Sequence, residues 1–144
     1  SIHTIDLLRF FGGEVKSIHS IAQRRFKEVR GDQFAAIAEL DSGAIGEYCS
    51  HWYSPGGWRA VLYGDGVTVE FKPLEKGSWM GKDFVVHEIE PDEVDIKYKP
   101  GLYHQMEAFG KLVRGEVQEW PALDLAGAYK TMQLAEEISM NNKV

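Results

Sequence analysis

Apolar residues recur every three or four positions at the start of the chain, at Ile2, Ile5, Leu8 and Phe11. This spacing predicts a short amphipathic helix over residues 2–11. The glycine pair Gly12-Gly13 would end it, because glycine readily adopts the left-handed conformation that terminates helices.

Strand-like segments bounded by glycine, proline or charged turns occupy the middle of the chain. The predicted strands cover residues 14–26, 33–40, 44–53, 58–63, 67–72, 84–89 and 94–98. The alternation is clearest in residues 67–72, where apolar and polar side chains take turns. Residues 73–82, which include Trp79, are predicted to form a loop.

The pattern becomes helical again after Pro100-Gly101. One helix is predicted from apolar positions at helical spacing and would close at Gly115: Leu102, Met106, Phe109 and Val113. Asp124 can cap a last helix by accepting a backbone N–H. The apolar stripe predicted for that helix is Leu125, Tyr129, Met132 and Ala135.

The order of one helix, a group of strands and two helices predicts an α+β fold over residues 1–144 as one domain. We expect a largely antiparallel, open-faced sheet of five to seven strands with helices on one face. Apolar residues lie on both faces of the strand around residue 50: Tyr48 and Trp52 face opposite to Cys49 and Tyr53. This pattern favours a homo-oligomer that pairs through the sheet face.

Composition and charge exclude several classes of protein. The 144 residues carry a net charge of -6 and are 44% hydrophobic, which fits one soluble domain. The acidic balance opposes nucleic-acid binding, and no apolar run approaches the roughly 18 residues of a membrane span. The single cysteine, Cys49, excludes an internal disulfide framework and favours a reducing, cytoplasmic compartment.

The glycine pair in Gly64-Asp65-Gly66 is interpreted as a hairpin turn. Val69 stands where a dinucleotide fingerprint has its third glycine, and a strand follows where the fingerprint needs a helix. The chain is therefore not expected to bind a nicotinamide cofactor on its own. The five histidines lack the spacing that places two metal ligands on one helix face, so no metal site is predicted.

His3 is the candidate for acid–base chemistry. It would lie in the first turn of the opening helix, where partial positive charge favours a neutral imidazole, the form that can donate or accept a proton. Asp6 lies three residues later on about the same face and could orient the ring. The alternative is that His3 is an exposed terminal histidine without a catalytic role. Asp6 would then be present because the helix dipole stabilises a negative charge near the helix start.

Three aromatic residues are candidates for lining a substrate site. Trp52 and Tyr53 stand at a predicted strand end before the loop Ser54-Pro55-Gly56-Gly57, where they could stack on a polyhydroxylated ligand. Tyr103 opens a helix after Pro100-Gly101. Packing in the core or between subunits is the alternative explanation for all three.

Two separated stretches resemble the Gfo/Idh/MocA family, the relatives of glucose–fructose oxidoreductase and inositol dehydrogenase. The first is residues 3–13, His-Thr-Ile-Asp-Leu-Leu-Arg-Phe-Phe-Gly-Gly. The second comprises Gly101-Leu102-Tyr103-His104-Gln105 with Phe109, then Trp120-Pro121-Ala122, then Thr131-Met132 to Glu136-Glu137-Ile138. The hairpin at Tyr63-Gly64-Asp65-Gly66 matches a similar element of the family, so the resemblance extends along the whole chain.

The resemblance implies the C-terminal domain of an NAD- or NADP-dependent oxidoreductase. Such proteins transfer hydride between the nicotinamide and a carbon of a sugar, polyol or related compound. The family's proton-exchanging histidine falls on His3, while Asp6, Trp52, Tyr53 and Tyr103 are assigned to substrate binding.

Two parts of the family's machinery are missing from this sequence. The N-terminal Rossmann domain with its lysine is absent, since Glu75-Lys76-Gly77 is not the family's Glu-Lys-Pro motif. The aspartate that precedes the histidine would fall before Ser1. We therefore expect no cofactor binding and no activity from this chain alone. A non-catalytic sugar-binding or dimerisation module is the alternative function.

Overall fold

The computed structural model describes residues 1–27, 29, 31–117 and 123–140. They form two compact units, one from the described residues of 1–56 together with 123–140 and the other from residues 57–117. None of the helices in these described ranges is long and apolar enough to cross a membrane. The Trp120-Pro121-Ala122 part of the resemblance lies outside the described residues.

The first unit is a three-stranded antiparallel sheet with two helices. Helix α1 spans Ile2–Gly12 and is followed by strands β1 (Val15–Gln23), β2 (Gln33–Leu40) and β3 (Ile45–His51). The strands pair in the order β1-β2-β3. The last helix of the chain, Leu125–Met140, completes this unit.

The inner face of this sheet carries the core of the unit. Alternate residues of β2 are buried, as period-2 alternation requires: Phe34, Ala36, Ala38 and Leu40. Phe34 and Ala36 pack in one cluster with Ile5 of α1 and with Leu134 and Ile138 of the last helix. The Ser20 hydroxyl on β1 donates to the Glu137 carbonyl at 3.1 Å. Both helices therefore cover the same face of the sheet.

The second unit is a four-stranded antiparallel sheet with two helices. Its strands are β4 (Ala60–Gly64), β5 (Val67–Phe71), β6 (Gly77–Met80) and β7 (Val86–Ile89), paired in sequence order. Helices α2 (Glu93–Lys97) and α3 (Leu102–Val113) follow, and the helix at Leu125–Met140 is α4.

The α+β class, the antiparallel pairing and the total of seven strands among the described residues confirm the predicted fold class. The strands are divided between two sheets, however, and do not form one. The hairpin interpretation of Gly64-Asp65-Gly66 is also confirmed. Gly64 pairs with Val67 across the turn, and Gly66 has a φ of 72°, a conformation that favours glycine.

Two predicted elements are wrong. The loop around Trp79 contains strand β6, because the backbones of β5 and β7 pair with it on both sides although its own sequence hardly alternates. Residues 94–98 alternate like a strand but form α2. They pair with no described strand, and the Asp92 carbonyl accepts hydrogen bonds from the amides of Asp95 and Ile96.

Helix α4 begins as predicted but buries a different face. The Asp124 carboxylate accepts the Gly127 amide at 2.7 Å, which confirms the cap. The predicted stripe is mostly exposed: Leu125, Tyr129 and Met132. The buried residues are Thr131, Leu134 and Ile138, because α1 and the sheet cover that side of the helix.

Candidate functional site

His3 lies at the second residue of α1 and is exposed. The helix start is fixed by two bonds to the Ser1 carbonyl, from the Thr4 hydroxyl at 2.8 Å and the Ile5 amide at 3.3 Å. Ile5 anchors this turn in the core. The imidazole is thus presented at the positive end of a helix dipole on a firmly packed turn.

The carboxylate of Asp6 is engaged by α4. It accepts a hydrogen bond from the Thr131 hydroxyl and lies 3.5 Å from a guanidinium nitrogen of Arg9. Arg9 also donates to the Gly127 carbonyl at 2.8 Å. Asp6 therefore ties α1 to α4, and its assignments to orienting the His3 ring and to substrate binding stay predictions.

Glu14, just after α1, completes this polar cluster. It pairs with Arg9 at 3.0 Å and with Lys130 of α4 at 3.0 Å. The hydrogen bond from Arg9, aided by that from Lys130, lowers the pKa of Glu14 to about 2. The cluster holds α1, the start of β1 and α4 in one arrangement, and so fixes where His3 is presented.

Trp52 and Tyr53 follow the end of β3, as predicted. The Trp52 ring contacts the buried Phe34 ring at a centroid distance of 5.8 Å and is still 60% exposed. The Trp52 amide donates to the Asp32 carbonyl at 2.8 Å. A large part of the indole is therefore free to contact a ligand.

Asp32 organises this corner of the first unit. Its carboxylate is fully buried and accepts the amides of Arg25 and Phe26 at 2.7 and 2.6 Å. Its amide donates to the Gln23 carbonyl, so Asp32 connects the end of β1, the start of β2 and the residue after β3. One oxygen of the carboxylate, Oδ1, has no hydrogen-bond partner among the described residues.

Tyr53 makes contacts on both its hydroxyl and its ring. The hydroxyl donates to Gln33 Oε1 at 3.1 Å and lies 3.3 Å from His51 Nδ1. The Arg25 guanidinium lies over the ring, 4.4 Å from its centre. Tyr53 is therefore held within the unit, whereas Trp52 presents an open surface.

The start of α1 and the end of β3 point toward the same end of the first unit. A Cβ on Gly46 would lie 3.0 Å from Leu8, and the Ser1 nitrogen lies 3.3 Å from the Tyr48 hydroxyl. The helix thus runs antiparallel to β3. Trp52 follows the end of β3, so it lies toward the end of the unit at which α1 starts.

Tyr103 belongs to the second unit, on α3. Its ring stacks on Tyr98 at 5.7 Å and meets the neighbouring His104 ring edge-on at 5.8 Å. These ring contacts are of the kind expected if Tyr103 serves packing. The assignment of Tyr103 to substrate binding stays a prediction.

The second unit also brings together a group that the sequence pattern did not indicate. Possible ligand atoms of Asp92, Asp95 and His104 lie within 4.8 Å of one another. The Asp95 carboxylate accepts the Gly101 amide at 2.8 Å, and His104 lies 3.8 Å from Glu107. The group is at least partly exposed, and exposed acidic groups of this kind are common without an ion.

Sequence reasoning also missed a hydrogen-bonded chain on β3, which joins Cys49, His51 and Tyr53 to Gln33. The signal was present, because residues at every second position of a strand share one face.

Comparison with known proteins supports the resemblance. Residues 1–70 match the family model described as the GFO/IDH/MocA C-terminal domain. No curated protein matches the chain in sequence.

Solved structures share the fold over nearly the whole chain. An oxidoreductase from Agrobacterium radiobacter, solved with NAD+, L-tartaric acid and magnesium, is 17% identical, with a TM-score of 0.71 over 97% of this chain and 45% of its own. UDP-N-acetylglucosamine 3-dehydrogenase from Acidithiobacillus ferrooxidans is 13% identical, with a TM-score of 0.75 over 96% of this chain and 44% of its own.

Aldose-aldose oxidoreductase from Caulobacter crescentus, solved with glycerol, is 18% identical, with a TM-score of 0.74 over 95% of this chain and 42% of its own. This chain thus spans less than half the length of these three proteins. The family-model match covers residues 1–70, and the solved structures share the fold, so the chain is similar to the C-terminal domains of the GFO/IDH/MocA family.

Proposed function

We propose that this chain is the substrate-side domain of an NAD- or NADP-dependent oxidoreductase that acts on a sugar, polyol or related compound in the cytoplasm. The observation that carries the proposal is the exposed imidazole of His3 on the first turn of a helix anchored in the core. The family match begins at this helix. Structures with the same fold include an aldose-aldose oxidoreductase and a UDP-N-acetylglucosamine dehydrogenase.

The proposed chemistry of this chain is proton exchange at the substrate oxygen. Oxidation of an alcohol carbon releases the hydroxyl proton, and reduction of a carbonyl requires one. His3 would accept or donate that proton, a contribution of roughly 10²–10⁴-fold to the rate. The polar cluster of Asp6, Arg9 and Thr131 would hold α1 so that the imidazole keeps its position.

The described residues of this chain do not fit a dinucleotide. Its Gly-x-Gly stretch is the turn between β4 and β5, where a dinucleotide cradle needs a strand leading into a helix. We therefore assign nicotinamide binding to a Rossmann domain outside this chain and derive no step of the cofactor's chemistry here.

Trp52 is the proposed stacking surface for the substrate. Its exposed indole lies at the end of the unit toward which α1 starts, and flat aromatic faces suit the C–H faces of sugars. Tyr53 and Tyr103 remain proposed contributors to the site, with the Tyr53 hydroxyl already bonded to Gln33.

The experiment is a comparison of His3→Ala with the unmodified full-length protein, using candidate aldoses and polyols with NAD and NADP. We expect kcat to fall roughly 10²-fold or more, and free imidazole to restore part of the loss. The matched control is His87→Asn, a histidine stacked on Trp79 in the second unit, which should leave kcat unchanged. An unchanged rate in His3→Ala would remove His3 from the mechanism.

A second candidate function, self-association, is favoured by the outer face of the first sheet. Isoleucines of all three strands are largely exposed there: Ile21 at 57%, Ile37 at 59% and Ile45 at 74%. An apolar face of this kind suits a second copy of the chain. Ile37→Lys should halve the mass measured by light scattering, whereas Ile96→Lys, on exposed α2, should not. A mass unaffected by Ile37→Lys would argue against this surface.

A further inference from the structure

The loop that joins β1 to β2 is the most basic stretch of this acidic chain. Residues 24–30 contain three arginines and one lysine against a single glutamate, whereas the whole chain has a net charge of -6. Three of these cations are described by the structure and are exposed: Arg24, Arg25 and Lys27. None of the three pairs with a carboxylate among the described residues. The loop therefore presents positive charge to solvent.

This basic loop lies at the end of the first unit where the proposed substrate site lies. Strand β2 begins at Gln33, directly after the loop, and β3 ends opposite that residue at His51. Trp52 follows His51, so the loop and the exposed indole are at the same end of the sheet. Helix α1 also starts toward this end. His3, Trp52 and the cations are therefore presented at one end of the unit.

A buried carboxylate fixes the loop relative to the indole. Asp32 Oδ2 accepts the amides of Arg25 and Phe26 at 2.7 and 2.6 Å. The backbone carbonyl of the same Asp32 accepts the Trp52 amide at 2.8 Å. One residue therefore anchors the backbones of both Arg25 and Trp52. Because Asp32 is fully buried, it holds this arrangement without itself contacting an incoming ligand.

The side chain of Arg25 is held in a form that suits an anion. Its guanidinium lies over the Tyr53 ring, 4.4 Å from the ring centre, and the Tyr53 hydroxyl donates to Gln33 at 3.1 Å. A guanidinium stacked on an aromatic face keeps the N–H donors at its edge available. These donors match two oxygens of one carboxylate or phosphate. Arg25 is therefore arranged for an anion before any ligand arrives.

We propose that the substrate is a sugar with an anionic group, a carboxylate or a phosphate, which Arg25 binds while the sugar stacks on Trp52. This inference rests on the proposed function, because it narrows the substrate of the same site to negatively charged sugars. Arg24 and Lys27 add attraction at longer range, which raises the local concentration of an anion. The site lies beyond the strand ends and uses none of the exposed isoleucines proposed for self-association.

The test is the dissociation constant of matched sugars for the full-length protein, measured by ligand-observed NMR. D-Glucose is the neutral probe, D-glucuronate carries a carboxylate and D-glucose 6-phosphate carries a phosphate. Binding is measured without turnover, so the result is separate from the kcat of His3→Ala, which tests the proposed function. Arg25→Gln removes the charge of the site. Lys16→Gln is the matched control, because Lys16 is an exposed cation of the same unit, roughly 30 Å along β1 from Arg25.

We expect at least one of the anionic sugars to bind about tenfold or more tightly than glucose, as a charged hydrogen-bonded contact provides. The comparison of glucuronate with glucose 6-phosphate shows which anion the site takes. Arg25→Gln should remove the advantage and leave glucose binding unchanged, whereas Lys16→Gln should keep it. Added salt should reduce the advantage in the unmodified protein.

Two results would overturn the proposal. The first is that neither anionic sugar binds the unmodified protein more tightly than glucose does, and this result needs no variant to fold. The second is an advantage of the anionic sugars that survives Arg25→Gln. If His3→Ala lowers kcat while either result is obtained, the proposed function stands and only the anionic substrate class is refuted.

Discussion

Arg9 is expected to be the most important polar residue for the stability of the first unit. Its side chain is only 10% exposed, and it contacts Glu14, Gly127 and Thr131. Replacing it by Met keeps much of the aliphatic stem but leaves the Gly127 carbonyl and its polar neighbours without their donor.

The magnitude follows from burial. Removing one partner of a buried ion pair costs roughly 3–5 kcal/mol, and the 49% exposure of the Glu14 side chain reduces the share that belongs to that pair. We expect Arg9→Met to lower the free energy of unfolding by roughly 3 kcal/mol, or the melting temperature by about 6–12 °C for a domain of this size.

The assay is thermal and urea unfolding followed by circular dichroism. The matched control is Arg59→Met, because the Arg59–Glu70 pair is close, at 2.7 Å, but both side chains are exposed. Exposed pairs contribute about 1 kcal/mol or less. Equal losses in the two variants would refute the argument that burial of the guanidinium, not the ion pair itself, makes Arg9 important.

Three further predictions concern the same fold. Because hydrogen bonds from Arg9 and Lys130 lower the pKa of Glu14 from 4.5 to about 2, its contribution is complete above pH 4.5 and is lost as the pH falls toward 2. The stability difference between wild type and Glu14→Gln, about 1 kcal/mol at pH 7 after allowance for solvent screening, should shrink in urea titrations at pH 2.5. Gly12→Ala should destabilise by about 1–3 kcal/mol in the same assay, since its Cβ would lie 2.0 Å from Leu40 Cδ1; an unchanged urea midpoint would contradict the close packing. Phe84→Asn should raise the free energy of unfolding by about 0.5–1 kcal/mol, and with it the melting temperature, because asparagine tolerates the left-handed backbone conformation better than phenylalanine. Phe84 has a φ of 60° and is 81% exposed, so little packing is lost.

The sequence by itself determined the elements whose signal is contained in a short window. The bounds of β2, residues 33–40, follow from a run of small and apolar residues between two turns and are the same in the structure. The cap of α4 by Asp124 and the turn at Gly66 were equally local, since each depends on the conformation of a few consecutive residues. His3 was placed on the first turn of its helix for the same reason.

Tertiary structure decided everything that depends on distant partners. The contact between Asp6 and Thr131 joins residues 125 positions apart, and no pattern near Asp6 reveals it. The buried face of α4 was chosen by the sheet and α1, and β6 exists because two neighbouring strands pair with it. The spacing of apolar residues along a segment predicts its secondary structure. The burial of apolar surface determines which other segments it packs against.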